Sequence, residues 1–278
     1  MIGRGQARGA LTIINAIAAG KGCAVGVDLS TWAEVELSSG HGTEVHLDGL
    51  EGEPTELVEM CVSSVLERFS LKRKAVLRVR SQIPVSRGLK SSSAAANAVM
   101  LATLDALDQK MGAVDILRLN AEISMRAGVS VTGAMDDAAA SLLGGVVFTD
   151  NLARVLLKRE VWTVCPHAVI NVPERMIRKA GLPRDRIALY RPVVETAFQM
   201  AWEGRYADAM CLNSLCYGAA LGLDQELPIK AMMAGALGAG ISGTGPAVAA
   251  LVKGNEKEVA AAMGPGSITV EIFQGGTE

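Results

Sequence analysis

The segment that most constrains the fold runs from residue 75 to residue 107, where a strand-like pattern passes through a bend into a helix-like one. Apolar and polar residues alternate over Ala75–Ser81, which predicts a strand, and the alanine-rich stretch Ser92–Leu107 predicts a long helix. Pro84 and Gly88 end the strand pattern, and three consecutive serines follow just before the helix. The sequence therefore predicts a glycine bend and serine hydroxyls at the amino end of a helix.

The amino end of that helix is a candidate anion site. The first N–H groups of a helix have no partner within the helix, and the helix dipole favours negative charge there. The structural alternative is that one serine simply caps the helix. Because one serine is enough for a cap, three serines after a glycine bend favour phosphate binding. Arg87 and Lys90 lie in the bend and are placed to face a nucleotide.

Strand-like and helix-like segments alternate along the rest of the chain without the regularity of βαβ units. This pattern predicts an α+β fold with two lobes, residues 1–155 and 156–278, joined near residues 150–160. The other predicted strands, of which the first three are expected to be antiparallel, are Val25–Leu29, Trp32–Leu37, Thr43–Leu47, Val146–Thr149, Trp162–Val169, Val248–Val252 and Ile268–Phe273. The other predicted helices are Pro54–Phe69, Val114–Arg126, Asp136–Leu143, Asp185–Trp202, Tyr206–Leu221, Glu226–Leu237 and Glu256–Met263.

Composition argues against several classes of protein. Half of the 278 residues are hydrophobic and the formal net charge is −2, which excludes a disordered chain and speaks against a nucleic-acid binder, despite a basic run at residues 68–90. The uncharged stretch Ala231–Val252 has the length of a membrane span, but its glycines break up any spanning helix, so we interpret it as buried protein. Five cysteines without a C-x-x-C pair and no signal-peptide pattern predict a cytoplasmic protein without structural zinc.

A second glycine-rich segment, residues 238–246, contains the spacing G-x-G-x-x-G. The dinucleotide-binding fingerprint needs a strand before this spacing and a helix after it. Here a predicted helix precedes the glycines and a predicted strand follows them, so the fingerprint is absent. A glycine loop can still offer backbone N–H groups to a phosphate, and on spacing alone a tight turn packed under another loop explains the segment equally well.

Acidic residues mark a third segment, in which Asp136 and Asp137 precede three alanines, with Glu122 upstream. An acid at this place can take a proton from a substrate hydroxyl or hold a metal ion. The alternative is that the aspartates only favour the amino end of a helix electrostatically. One acid is enough for that role, so the second aspartate indicates chemistry.

A fourth segment, residues 15–22, looks like a Walker A loop but lacks its essential residues. Asn15 and Gly22 stand where that loop needs glycine and serine or threonine. The sequence therefore contains no P-loop of this type. Lys21, between two glycines, can still reach a phosphate.

Three of these segments together resemble the motifs of the GHMP superfamily, which includes galactokinase, homoserine kinase and mevalonate kinase. Residues 84–95 resemble its phosphate loop, P-x3-G-L-x-S-S-A-A, and residues 240–247 its C-terminal glycine motif. Residues 132–145 resemble its catalytic-acid segment, and the three motifs follow the order of the family. The resemblance covers essentially the whole chain.

Within this superfamily, residues 13–29, 131–137 and 203–217 resemble the archaeal shikimate kinases. The runner-up is homoserine kinase, which shares the Ser-Gly-Thr-Gly-Pro loop; the Asn-Ala-Ile-Ala-x-Gly-Lys-Gly block favours the shikimate kinases. The resemblance implies a two-lobed GHMP-kinase fold, with a ribosomal-protein-S5-domain-2-like N-terminal lobe and a ferredoxin-like C-terminal lobe. It also implies ATP- and Mg²⁺-dependent phosphorylation of the 3-hydroxyl of shikimate, with no nucleic-acid or membrane partner. Oligomeric state is left open.

The resemblance further implies roles for individual residues. Asp137 would be the base if residues are counted back from Gly144-Gly145, and Asp136 if they are counted forward from Gly133. Lys21 would neutralise the transferred phosphoryl group. The phosphates of ATP would contact Pro84, Arg87, Gly88, Leu89, Lys90, Ser91, Ser92, Ser93 and Ala94, and the metal would contact Ser92 and Glu122, with the choice among the three serines open. The substrate would contact Asn15, Asp28, Asn213, Ser242, Gly243, Thr244 and Gly245, and an arginine that the sequence does not identify.

Overall fold

The computed structural model describes residues 1–49, 52–173 and 181–275, which form two β-sheets and the helices packed against them. This mixture confirms the predicted α+β class. The strands are β1 (Ile2–Ile14), β2 (Lys21–Ser38), β3 (Thr43–Asp48), β4 (Lys74–Ser81), β5 (Val146–Asp150), β6 (Val155–Glu160), β7 (His167–Asn171), β8 (Gly238–Ile241), β9 (Val248–Val252) and β10 (Ser267–Glu271). The helices are α1 (Glu56–Arg68), α2 (Ser91–Ala106), α3 (Ala113–Arg126), α4 (Met135–Leu143), α5 (Arg184–Ala188), α6 (Arg191–Trp202), α7 (Tyr206–Leu221), α8 (Glu226–Met233) and α9 (Glu256–Met263).

The first sheet has the strand order β3-β4-β2-β5-β6, with β1 paired to β2. The two strands predicted between residues 25 and 37 are one long strand, β2, which pairs antiparallel with β1, β4 and β5. Strand β3 runs parallel to β4, so the antiparallel arrangement predicted for residues 43–47 is wrong. The reason is helix α1, because a helical crossover brings the next strand back in the same direction.

Strand β1 is absent from the prediction because glycines stand at some of its inward-facing positions. A Cβ atom on Gly3 would overlap the backbone of Ala106, and one on Gly5 would overlap the backbone of Ala98. The alanine-rich helix α2 therefore lies directly on this strand, with no side chains between the two backbones. The usual alternation of apolar and polar residues is lost here, although the strand is well paired.

The second sheet is antiparallel, with the order β10-β7-β9-β8. Its strand β7 begins at His167 instead of Trp162, and β8 lies where the sequence predicts only a glycine loop. Gly238 and Gly240 allow helix α7 to lie directly on β8, which is the same close packing that hides β1. The single helix predicted from residue 185 to residue 202 is two helices, because a proline at the start of α6 begins a new helix.

The C-terminal segment returns to the first sheet. Phe273 N–H donates to the carbonyl oxygen of Gly26 at 2.9 Å, and Gly145 N–H donates to the carbonyl oxygen of Phe273 at 2.8 Å. Strand β6, at the edge of the first sheet, ends at Glu160, beyond the predicted boundary at residue 155. The first sheet therefore receives residues from both sides of that boundary, and the division into two domains stays a prediction.

The uncharged stretch at residues 231–252 is divided between the end of α8 and the strands β8 and β9. Its glycines permit this sharp change of direction, as the sequence indicates. Within the described ranges, none of the helices has both the length and the apolar character that crossing a bilayer requires.

Candidate active site

Within the phosphate-loop motif, Lys90 is the residue that precedes helix α2. Lys90 has a left-handed φ of 68° and does not cap the helix with its side chain. Among the described residues, the hydroxyls of Ser91, Ser92 and Ser93 have no hydrogen-bond partner, so the alternative of a capping serine is wrong. The first intrahelical bond runs from Ala94 N–H to Lys90, which leaves the N–H groups of the three serines available for an anion.

Gly88 allows the second glycine segment to lie directly on the phosphate loop. Its φ is +89°, and a Cβ atom at this position would overlap the backbone oxygen of Ser242. Ser242 Oγ donates to the carbonyl oxygen of Gly88 at 2.8 Å, and Ala247 N–H donates to that of Arg87 at 3.1 Å. Two segments that are far apart in the sequence therefore form one continuous wall.

Lys90 and Asp137 form a buried ion pair between this wall and the first turn of α4. Lys90 Nζ lies 2.8 Å from Asp137 Oδ1, and the two side chains are 7% and 8% exposed. Lys90 Nζ is at hydrogen-bonding distance from Oδ1, and a carboxylate oxygen has a second lone pair that can accept a further hydrogen bond. Asp137 thus offers a buried acceptor beside a cation.

Asp136 has a different partner from its neighbour. Asn151 Nδ2 donates to Asp136 Oδ1 at 2.8 Å. Burial, together with the charge of Asp137, raises the pKa of Asp136 from 3.8 to about 6, while Lys90 and Asn151 act in the lowering direction. Asp136 is therefore hydrogen-bonded and titrates close to neutral pH, whereas Asp137 is held by an ion pair.

We expect the free energy of unfolding of Asp136→Asn to exceed that of the wild type at about pH 7.5, and the two values to become similar at about pH 4. The folded protein holds the Asp136 proton more tightly than the unfolded chain does, because the pKa is raised from 3.8 to about 6. The wild type is therefore penalised as pH rises through this window, by about 3 kcal/mol at about 1.4 kcal/mol per pH unit. Urea unfolding at both pH values measures the difference. An equal difference in unfolding free energy between the variant and the wild type at the two pH values would contradict the raised pKa of Asp136.

The two aspartates open onto a cleft between the first turn of α4, the end of β1 and the second glycine-rich segment. The lining combines one lysine, two carboxylates, several hydroxyls and an amide, so it can bind a small polar molecule and neutralise negative charge. The residues that line it are Asn15, Ala16, Ile17, Lys90, Ser130, Val131, Thr132, Ala134, Asp136, Asp137, Gly243 and Thr244.

Lys21 lies outside this lining. A Cβ atom on Gly22 would collide with the side chain of Asp136, so this position of β2 faces the aspartates. Neighbouring residues of a strand face opposite sides, and Lys21 accordingly points away, with Nζ 5.8 Å from the centroid of the Phe198 ring. Lys90 stands beside the aspartates, whereas the family resemblance implies Lys21 as the cation at the transferred phosphoryl group.

Glu122 and Asp28 also lie away from the cleft lining. Glu122 is on the exposed side of α3, and the polar residue that α3 directs towards the phosphate loop is Asn120, whose Nδ2 donates to the carbonyl oxygen of Ser93 at 3.1 Å. Asp28 is half exposed and lies 2.9 Å from Arg8 Nε. In the described part of the chain, no cluster of three or more acidic, thiol or imidazole side chains is arranged to hold a metal ion.

The other predicted substrate-binding residues divide into two groups. Asn15, Gly243 and Thr244 line the cleft, whereas Asn213, Ser242 and Gly245 lie behind it. Asn15 connects the groups, since its N–H donates to Asn213 Oδ1 at 3.0 Å and its Nδ2 donates to the carbonyl oxygen of Gly243 at 2.8 Å. Gly243 N–H in turn donates to Thr12 Oγ1 at 2.8 Å, which ties β1 to the glycine motif.

Several polar residues of the site were not predicted from the sequence, namely Thr12, Asn120, Ser130, Thr132 and Asn151. Thr12 lies in a strand whose pattern is hidden by glycines. Asn151 directly follows strand β5 and is almost fully buried, although its neighbours Asp150 and Leu152 are not. A polar side chain just after a buried strand is the one signal that could have marked it.

The chain is similar to known kinases in sequence. Residues 56–145 match the family described as GHMP kinases N terminal domain. Shikimate kinase from Methanothrix thermoacetophila is 48% identical over 252 residues, covering 91% of this chain and 86% of the relative. Shikimate kinase from Methanosarcina acetivorans is 45% identical over 255 residues, with the same coverage of the two chains.

Solved structures share the fold at low sequence identity. A homoserine kinase from Cytophaga hutchinsonii superposes with a TM-score of 0.79 at 20% identity, covering 99% of this chain and 96% of the other. The mevalonate kinase of Methanococcus jannaschii gives a TM-score of 0.78 at 12% identity, covering 98% of each chain. These likenesses confirm the GHMP-kinase fold, and the sequence relatives identify the branch. The chain therefore belongs to the family of shikimate kinases with the GHMP-kinase fold.

Proposed function

We propose that the protein transfers the γ-phosphoryl group of ATP to the 3-hydroxyl of shikimate. The high identity to shikimate kinases over most of the chain supports the choice of substrate. The observation that carries the chemistry is the Lys90–Asp137 pair. Lys90 directly precedes the amino end of α2, where phosphate can bind, and Asp137 is a carboxylate that can accept a hydrogen bond from a substrate hydroxyl. A phosphoryl donor and a hydroxyl acceptor can therefore meet at one point.

The phosphates of ATP would lie at the amino end of α2. The N–H groups and hydroxyls of Ser91–Ser93 are unused there, and the bend at Gly88 brings further backbone close. This arrangement is the usual one for phosphate at a helix terminus. Pro84, Arg87, Leu89 and Ala94 would shape the same site as part of the loop.

Mg²⁺ would accompany the nucleotide. This ion prefers oxygen ligands and is usually bound by one or two carboxylates together with substrate phosphates and water. The free hydroxyl of Ser92 fits such a set. Glu122, the carboxylate that the family resemblance implies, lies on the exposed side of α3, away from the cleft lining, and does not fit it. When bound, the ion neutralises negative charge on the phosphates.

The protein's own residues account for the transfer by position and charge. The hydroxyl oxygen attacks the γ-phosphorus, the bond from that phosphorus to the bridging oxygen of ADP breaks, and the hydroxyl proton passes to Asp137. Lys90 remains beside both the carboxylate and the phosphate-loop end of α2, so it stabilises charge at the point of transfer. Phosphoryl transfer needs little further chemistry from the protein.

The cleft residues Asn15, Gly243 and Thr244 would contact the substrate. Asn213, Ser242 and Gly245 would act by holding them in place. The arginine expected for the substrate carboxylate does not line the cleft, and Lys90 is the cation among the lining residues that the structure describes. All five cysteines are free thiols, as we expect for an enzyme acting in the cytoplasm.

An assay of ADP release with three acceptors tests the proposed function. With shikimate, homoserine and mevalonate side by side, we expect turnover of shikimate and little of the others. Phosphorus NMR of the product should locate the new phosphate at the 3-position of the ring. Turnover of homoserine without turnover of shikimate would move the assignment to homoserine kinase.

A further inference from the structure

Asn151 is a buried amide that organises two side chains of the cleft at once. Its Nδ2 donates to Asp136 Oδ1 at 2.8 Å and to Thr132 Oγ1 at 3.1 Å, and the residue is 2% exposed. Its Oδ1 accepts from Thr149 Oγ1 at 2.7 Å. The carboxylate determines which end of the amide is nitrogen, because an amide oxygen facing Asp136 would meet another acceptor. The orientation of Asn151 is therefore set by its surroundings.

This orientation leaves the hydroxyl of Thr132 free to donate. A threonine hydroxyl has one donor hydrogen and two acceptor lone pairs, and Asn151 uses an acceptor position. Within the described ranges, the hydroxyl hydrogen of Thr132 has no acceptor. Thr132 is half-buried and lines the cleft beside the two aspartates. A ligand in the cleft is thus offered a donor of defined direction.

We propose that Thr132 donates a hydrogen bond to a second ring hydroxyl of the acceptor, next to the hydroxyl that is phosphorylated, and that Asn151 is the positioning residue that aims it. This inference rests on the proposed function, because it assumes a polyhydroxylated ring with one hydroxyl at Asp137. Asp136 and Thr132 share the Asn151 amide, so a ring seated against the aspartates extends towards Thr132. The cleft would then select polyols over alcohols with a single hydroxyl.

Thr132→Val tests the donor, because valine has nearly the same shape and no hydroxyl. The variant is assayed with shikimate and with its 4-deoxy and 5-deoxy analogues. We expect kcat/KM for shikimate to fall about tenfold, the size expected for one neutral hydrogen bond, with the KM for ATP unchanged. With the 4-deoxy analogue, the variant and the wild type should agree within about twofold, because the hydroxyl next to the 3-hydroxyl is missing. The 5-deoxy analogue should show the full loss, and agreement with the 5-deoxy analogue alone would contradict the assignment.

Three further variants separate positioning from general damage. Thr132→Ser keeps the donor and should restore kcat/KM to within about threefold of the wild type. Thr31→Val removes a buried hydroxyl of β2 that pairs with Ser81 Oγ at 2.7 Å, away from the cleft lining, and should leave the kinetics of shikimate unchanged. Asn151→Leu should raise the KM for shikimate. Its effect on kcat/KM for shikimate should be smaller in the Thr132→Val background than in the wild type, because the donor that Asn151 positions is already missing.

The outcomes that overturn the inference are distinct from those that overturn the function. An equal loss with shikimate and both analogues, or no loss at all, would show that Thr132 meets no ring hydroxyl. Unchanged shikimate kinetics in Asn151→Leu would remove the positioning role. A wild type that does not phosphorylate shikimate would contradict the proposed function itself, and the inference would fall with it.

Discussion

Asp137→Asn should lower kcat by about 10²–10⁴-fold, the usual contribution of a positioned general base. Asparagine has nearly the same shape but cannot take the hydroxyl proton in the transfer step. The KM for ATP should change by no more than about twofold, because the phosphates bind at the start of α2 and the carboxylate acts on the acceptor. Steady-state ADP release at saturating ATP and shikimate measures both constants.

Asp136→Asn is the matched control for this result. If Asp136→Asn loses turnover while Asp137→Asn keeps it, the roles of the two residues are reversed. If both variants keep near-normal turnover, neither aspartate is the base and the mechanism is wrong. Because Asp137→Asn leaves Lys90 without its partner, thermal unfolding is measured first, and both variants are assayed well below their midpoints.

The phosphate loop could be predicted from sequence because its signals are local. Pro84, Gly88 and the serine run stand within a few residues of one another, and each acts on the backbone of its own segment. The alanine-rich helix after them begins one residue earlier than expected. The aspartate pair could be identified for the same reason, since two adjacent acids in the first turn of a buried helix are locally unusual.

The partners of those residues could not be predicted, because they depend on contacts between distant segments. Asn151 meets Asp136 only when β5 lies beside β2 and α4, and Lys90 meets Asp137 only when α2 and α4 pack together. The family resemblance assigns the cation at the transferred phosphoryl group to Lys21, which lies between two glycines. The pleat of β2 turns it to the opposite side, and a one-residue difference in a strand decides this outcome.

Lys90→Met should destabilise the protein by about 3–5 kcal/mol, the cost of removing one partner from a buried ion pair. Methionine fills much of the same space, so the loss reflects charge. Asp136 and Asp137 would then be adjacent buried carboxylates without a neighbouring cation. The deficit should be largest above pH 7 and should shrink in acid, because protonation of Asp136, whose pKa is already raised to about 6, removes one of the charges. Urea unfolding across this pH range measures it.

Two companion variants show whether the pair itself is responsible. Lys74→Met removes an exposed lysine, 3.9 Å from Glu44, and should change stability by less than about 0.5 kcal/mol. Lys90→Met combined with Asp137→Asn removes both charges and should be more stable than Lys90→Met alone, because no uncompensated carboxylate remains at residue 137. Turnover should nevertheless stay low in the double variant, since it lacks both the base and the cation. A double variant no more stable than Lys90→Met would mean that the lysine acts by packing instead of by charge.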